Sequence, residues 1–186
     1  MTSISRLCIL LMAGVLTGTG TRALGQTITA KLSVNPIVQI EELVPLAAGL
    51  AVEVGVTPHS ALQLSGSYRH FRNQDEEPDT GSKFYLDYRY YVQPAQTNDG
   101  LFISPFIGAG SLRLGTGDDL NSTVRRTRYE QEAGVLLGYQ AVFSRFTLEG
   151  FAGPAYRRQT TSGLYPDTDY FIWLRAGFTA GLRLRK

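Results

Sequence analysis

A chain of 186 residues, 43% hydrophobic, with 18 basic against 16 acidic side chains and one cysteine, fits a single domain. The near-neutral charge excludes the basic footprint of a nucleic-acid binder, and one cysteine excludes a disulfide framework or a cysteine metal site. The longest apolar run falls well short of the roughly 20 residues a membrane-spanning helix needs, so any crossing of a bilayer is left to strands.

The chain opens with Arg6, the apolar run Leu7 to Leu16, and a Gly/Thr-rich stretch ending in Ala23-Leu24-Gly25 ahead of Gln26. This pattern predicts a secretory signal peptide over residues 1–25, leaving a mature domain at 26–186. Cys8 stands at the start of the apolar run, out of place for a lipoprotein cleavage signal, so the mature chain carries no thiol. Removal of Arg6 and Arg22 with no acids takes the formal charge from +2 to zero.

Beyond the leader, a period of two predicts eight strands, near 27–37, 46–56, 61–71, 83–93, 101–113, 128–142, 145–157 and 170–185. In the second, Leu46, Ala48, Leu50, Val52, Val54 and Val56 alternate with Ala47, Gly49, Ala51, Glu53 and Gly55. In the fourth, Phe84, Leu86, Tyr88, Tyr90 and Val92 oppose Lys83, Tyr85, Asp87, Arg89 and Gln93. The fifth is apolar or small on both parities around Pro105, Gly108 and Gly110, so its facing stays open. The sixth sets Tyr129, Ala133, Val135, Leu137 and Tyr139 against Glu130, Glu132, Gly134, Gly138 and Gln140. The last, Tyr170 to Arg185, has an unbroken apolar parity through Ile172, Leu174, Ala176, Phe178, Ala180, Leu182 and Leu184. Strands of this length reach the roughly 9 to 11 residues that a tilted strand needs to span hydrocarbon.

Short links follow strands two, four and six, and long polar ones follow strands three, five and seven, at 72–82, 115–127 and 158–168. Such alternation predicts an all-β, eight-stranded antiparallel up-and-down transmembrane β-barrel, with tight turns at one end and loops at the other. On the apolar parity, Tyr68, Phe84, Tyr129, Tyr156 and Tyr170 fall near the long-loop end, and Tyr90, Tyr139, Phe146 and Phe178 near the short-turn end. Two aromatic belts are expected there, each ring in hydrocarbon and each tyrosine hydroxyl at the headgroups. The polar parity projects inward Lys31, Glu53, Arg69, Asp87, Arg89, Glu130, Glu132, Glu149, Arg175 and Arg183. Eight strands leave an interior that side chains fill, so these charges are expected to pair across it and plug it.

The runs Leu62-Gln-Leu-Ser-Gly-Ser-Tyr68, Tyr88-Arg-Tyr-Tyr91, Pro105-Phe-Ile-Gly-Ala-Gly110 and Phe178-Thr-Ala-Gly-Leu-Arg-Leu184 resemble those of small eight-stranded outer-membrane barrels of the OmpA/OmpX type. The resemblance covers essentially the whole mature chain. It implies a bacterial outer-membrane location, a monomer, assembly by the barrel-assembly machinery and a non-enzymatic envelope role with loops for adhesion, sensing or partner binding. Members of that group finish on an aromatic residue, whereas this chain ends Leu184-Arg185-Lys186.

Some barrels of this fold modify lipids with a histidine base near the rim, an alternative that rests here on His70; His59 falls in a predicted turn. A soluble lipocalin-like carrier would need the opposite facing, apolar inside. No cofactor motif is present, and neither Asp75, Glu76, Glu77 and Asp79 nor Asp118, Asp119 and Asn121 has the spacing of a calcium loop. Arg125, Arg126, Arg128, Arg157 and Arg158 gather at the loop end, where lipopolysaccharide phosphates are the expected partners of their forked guanidinium groups.

Overall fold

A computed structural model describes residues 27–39, 42–71, 79–92, 94, 98–114, 126–162 and 167–185. Eight strands account for nearly all of them: β1 (Ile28–Gln39), β2 (Glu42–Thr57), β3 (Ser60–Phe71), β4 (Asp79–Val92), β5 (Gly100–Leu114), β6 (Arg126–Phe143), β7 (Phe146–Ser162) and β8 (Asp167–Arg185). Each pairs antiparallel with the next, and β8 returns to β1 through pairs such as Leu32↔Ala180 and Val34↔Phe178. The result is a closed up-and-down barrel, which leaves no strand edge unpaired. The predicted leader at 1–25 lies outside the described residues.

Two-residue turns at Pro58–His59 and Ser144–Arg145 mark the short end, with Ser144 at φ 57° as tight hairpins demand. Asn98, just ahead of β5, lies at the same end, its backbone N–H donating to the Pro58 carbonyl at 3.3 Å. Asn98 takes the left-handed conformation there, at φ 55°, which asparagine tolerates better than most residues. At the opposite end the strands run further than their apolar parity does, so that β7 continues through Thr160 and Ser162 and β8 begins at Asp167. The predicted loop at 158–168 is accordingly reduced to 163–166 between strands. Threonine is β-branched and suits an extended backbone whether or not its face is greasy.

The facing is uniform. Leu50, Leu86, Ile107, Leu137, Leu148, Ile172 and Phe178 are exposed, while Lys31, Glu53, Asp87, Arg89, Glu132, Glu149 and Arg175 are buried. β5 resolves its ambiguity by turning Phe102, Ser104 and Phe106 inward and Leu101, Ile103 and Ile107 outward. Two of the largest rings inside the barrel thus come from the strand whose pattern was least decisive.

The register also draws the upper limit of the apolar surface. The outward row Leu86–Ile107–Ala133–Tyr156–Ile172 is followed by Phe84–Ala109–Gln131–Arg158–Tyr170 and then by Ser82–Ser111–Tyr129–Thr160–Thr168. Greasy side chains therefore give way to hydroxyls over two steps of alternate residues, about 13 Å of strand.

The ionic interior and the outer rim as candidate functional sites

Near the short-turn end, five strands contribute to one hydrogen-bonded cluster. Lys31 Nζ on β1 donates to Glu53 Oε2 on β2 at 2.7 Å, to Gln140 Oε1 on β6 at 2.5 Å and to Glu149 Oε2 on β7 at 2.6 Å. Arg89 on β4 grips Glu149 with both terminal nitrogens at 2.6 Å each and reaches Glu53 Oε2 at 2.9 Å, where the Tyr91 hydroxyl also donates at 3.1 Å. Two cations meet two carboxylates, so the buried charge cancels. Each carboxylate receives several charge-assisted bonds, which is the condition for holding ions out of water.

Asn98 closes this end from below. Its backbone carbonyl accepts from Gln140 Nε2 at 2.6 Å, its side-chain Nδ2 donates to Thr27 Oγ1 at 3.1 Å, and its backbone N–H donates to the Pro58 carbonyl at 3.3 Å.

Midway along the barrel the filling changes from ions to rings. The Arg175 guanidinium lies 3.8 Å from the Tyr85 ring centre, 4.3 Å from Phe106 and 5.5 Å from Phe151, and donates to Asp87 Oδ1 at 3.1 Å. Tyr85 meets Phe106 edge-on with centroids 5.9 Å apart, and Leu136 and Ala155 complete the layer. A cation held between aromatic faces has its charge partly compensated by their quadrupoles, which lets one carboxylate suffice as its partner.

A second ionic cluster lies above this layer of rings. Lys83 Nζ contacts Glu130 and donates to Glu132 Oε1 at 2.5 Å, the Tyr85 hydroxyl donates to Glu132 Oε2 at 3.0 Å, and Arg157 Nε stands 2.6 Å from Glu132 Oε1. Arg157 is stacked 3.8 Å from the Trp173 ring and 5.3 Å from Phe171. All five buried carboxylates among the described residues, Glu53, Asp87, Glu130, Glu132 and Glu149, therefore have a cation within ion-pair reach.

Of the residues assigned inward from sequence, Lys31, Glu53, Asp87, Arg89, Glu130, Glu132, Glu149, Arg175 and Arg183 are buried. The side chain of Arg69 lies outside the described residues, although its backbone pairs with Gly81. Arg157 belongs to the interior as well, and so does Lys83, which stands on the polar parity of the fourth strand but outside the inward set drawn from sequence. Both were readable from parity, since Lys83 shares the face of Asp87, and Arg157 follows the outward Tyr156 by one residue.

Arg157 is thus a correction to the rim arginines: it is tied to Glu132 inside the barrel, out of reach of a lipid phosphate. Arg126 and Arg128 share the inward parity of Glu130, and Arg125 lies outside the described residues. Of that group Arg158 faces outward, and Arg113, singled out by no motif, does so on β5. Proximity in sequence grouped side chains that a strand sends to opposite sides.

Tyr68, Phe84, Tyr129, Tyr156 and Tyr170 at one end, and Tyr90, Tyr139, Phe146 and Phe178 at the other, are all exposed on the outer wall. Tyr156 and Tyr170 stack with centroids 6.1 Å apart. His59 occupies a turn, its ring 6.3 Å from that of Tyr90 and its Nδ1 3.3 Å from the Tyr91 carbonyl. The His70 side chain, Asp75-Glu76-Glu77, Asp118, Asp119 and Asn121 lie outside the described residues. Among the described residues no three His, Cys, Asp or Glu side chains gather as a metal site would require.

No curated protein matches the sequence. Solved structures similar to the chain include two from bacteria. One is a major outer membrane protein from Thermus thermophilus, at 12% identity and TM-score 0.47, covering 87% of this chain and 100% of that one. The other is the N-terminal β-barrel domain of Pseudomonas aeruginosa OprF, at 15% identity and TM-score 0.45, covering 86% of this chain and 97% of that one. A family profile described as "Protein of unknown function (DUF3575)" matches residues 9–170, and the chain belongs to that family.

Proposed function

We propose that the protein is a non-enzymatic outer-membrane barrel, monomeric, with a closed interior, and with connections at its outer end that serve adhesion, sensing or partner binding. The observation that carries this reading is polarity: a sealed cylinder whose large apolar side chains are exposed and whose charges are buried. In water such a surface would drive aggregation, because soluble monomers rarely expose apolar patches beyond a few hundred Å². In hydrocarbon it is the ground state. A lipocalin-like carrier would need the reverse facing. Signal-directed export, insertion by the barrel-assembly machinery and contact with lipopolysaccharide follow from this reading.

The interior supports a plug more than a pore, since two neutral ionic clusters are separated by rings packed on Arg175. Fractionation of the envelope with heat-modifiability on a gel tests the proposal: the protein should sediment with outer membrane and migrate differently before and after boiling. Recovery in the soluble fraction without detergent would overturn it.

A further inference from the structure

We infer that the outer mouth of the barrel is a blind site for a small oxyanion, a carboxylate or a phosphate, held by the stacked pair Arg157 and Trp173. The site lies beyond the envelope role proposed above and takes from it only that the long-loop end meets water.

Among the described residues every buried carboxylate has its cation, but the converse fails for the donors of the outer cluster. Arg157 Nη2 and Trp173 Nε1 are buried without a hydrogen-bond partner, and so is Nε of Arg128, which shares the inward face of β6 with Glu130. Their counterpart in the lower cluster, Arg89 Nε, belongs to a guanidinium whose two terminal nitrogens already hold Glu53 and Glu149. A buried donor without a partner has given up its bonds to water and gained none, and a ligand that accepts from it recovers that loss. Arg157 is 7% exposed, with its Nε 2.6 Å from Glu132 Oε1 and its guanidinium carbon 3.8 Å from the Trp173 ring centre and 5.3 Å from that of Phe171. Stacking fixes the plane of the fork, and Glu132 takes its Nε edge while Nη2 is left over. With the two groups this close, Nη2 and the indole N–H come within reach of two oxygens of one ion, each donor at about 2.9 Å. An indole N–H can only donate, so the partner it calls for is an acceptor, and the adjacent guanidinium favours one with negative charge.

The surroundings set where the ion comes from. On the inward face exposure rises from buried Glu132 and Arg157, through half-buried Phe171, Gln159 and Arg128, to exposed Arg126 and Asp169, so the site opens outward. Below it, Tyr85, Phe106 and Phe151 packed around Arg175 close the way. The barrel wall separates it from lipid headgroups, which leaves the aqueous phase as the source. Glu130 and Glu132 are engaged by Lys83 as well as by Arg157, and at the rim Asp167 and Asp169 on β8 balance Arg126 and Arg128 on β6. The mouth is therefore close to neutral, and directed donors rather than a general positive field do the selecting. A fork and an indole N–H suit an ion with two oxygens better than a spherical halide.

Trp173 is the one tryptophan of the chain, so tryptophan fluorescence reports on this site alone. The full barrel in detergent is titrated at fixed pH with inorganic phosphate and with acetate, against chloride at matched ionic strength. The emission should shift and saturate with an oxyanion and stay unchanged with chloride; saturation by phosphate alone assigns a phosphate, by acetate alone a carboxylate. Arg157→Lys keeps a cation for Glu132 but loses the fork, and should raise the half-saturating concentration about tenfold, the loss of one charge-assisted contact. Arg158→Gln, one residue on and facing outward, should leave it unchanged. Should Arg157→Lys fail to fold, Trp173→Phe, which keeps a ring and removes the N–H, should show a loss of similar size by calorimetry. No shift with either oxyanion, a shift that never saturates, an equal shift with chloride, or unaltered affinity in the folded variant overturns the inference. The envelope reading would survive any of these, since heat-modifiability of the same preparations reads it separately.

Discussion

Glu149 accepts hydrogen bonds from both terminal nitrogens of Arg89 and from the ammonium of Lys31, so one carboxylate touches two buried cations on two other strands and shares their neutralisation with Glu53. Its removal leaves positive charge stranded in a closed interior. Glu149→Ala is expected to lower stability by about 3–5 kcal/mol, the cost of breaking a buried pair from one side, as read by guanidinium unfolding in detergent micelles. Glu149→Gln, which keeps acceptor oxygen and volume, should cost less. An exposed site such as Leu148 provides the contrast: Leu148→Ala should leave micellar stability nearly unchanged, because detergent takes the place of lost contacts. At this scale the sequence was legible in facing and illegible in partnership. Parity places Glu149 inside, but nothing in residues 31, 89 and 149 announces that they meet.

β7 carries two features that govern its neighbours. A Cβ on Gly153 would collide with the Val135 carbonyl and the Leu136 backbone of β6, so Gly153→Ala must move a strand and is expected to cost about 1–3 kcal/mol, in the range of overpacking. Unfolding of that variant against wild type measures it. Next to it, Pro154 lacks an N–H, and the β6–β7 register runs from Gly134↔Ala155 to Leu137↔Ala152 with no pairs between. Pro154→Ala restores a donor at that level and should gain up to about 1 kcal/mol, the usual net worth of a hydrogen bond, with slowed amide exchange in that stretch. The same gap recurs beside Pro105, where the β4–β5 register runs from Asp87↔Phe106 to Tyr90↔Ile103.

Element by element, all eight strands were readable from the period of two. Their ends at the outer side were not, because the pattern tracks hydrophobicity and fades where a strand leaves the apolar layer. Thr160, Ser162 and Thr168 remain in strand although their row is polar. β5 was unreadable in facing for the opposite reason. It contributes rings to the interior and aliphatic side chains to the exterior, and period alone cannot separate two apolar faces.

Taken whole, the barrel stacks an ionic layer, an aromatic layer and a second ionic layer along its axis. A path through it must displace Arg175 from Tyr85, Phe106 and Phe151, since these groups occupy the middle. Planar-bilayer recordings of the wild type are therefore expected to lack large stable conductance. Arg175→Ala combined with Phe106→Ala should introduce small, flickering conductance by emptying that layer, while leaving both ionic clusters in place. A wild-type barrel that conducts steadily would contradict the closed interior.

The sequence by itself determined the number of strands, their alternation and which face of most of them is greasy, because side chains of a strand take sides by simple parity whatever their partners. Only the tertiary structure decided which inward charges meet and where the rings divide them. Lys31 and Glu149 stand 118 residues apart, and they touch because β8 closes on β1 and wraps the sheet into a narrow cylinder. Closure and register are properties of the assembled sheet, and they alone convert a shared face into a shared contact.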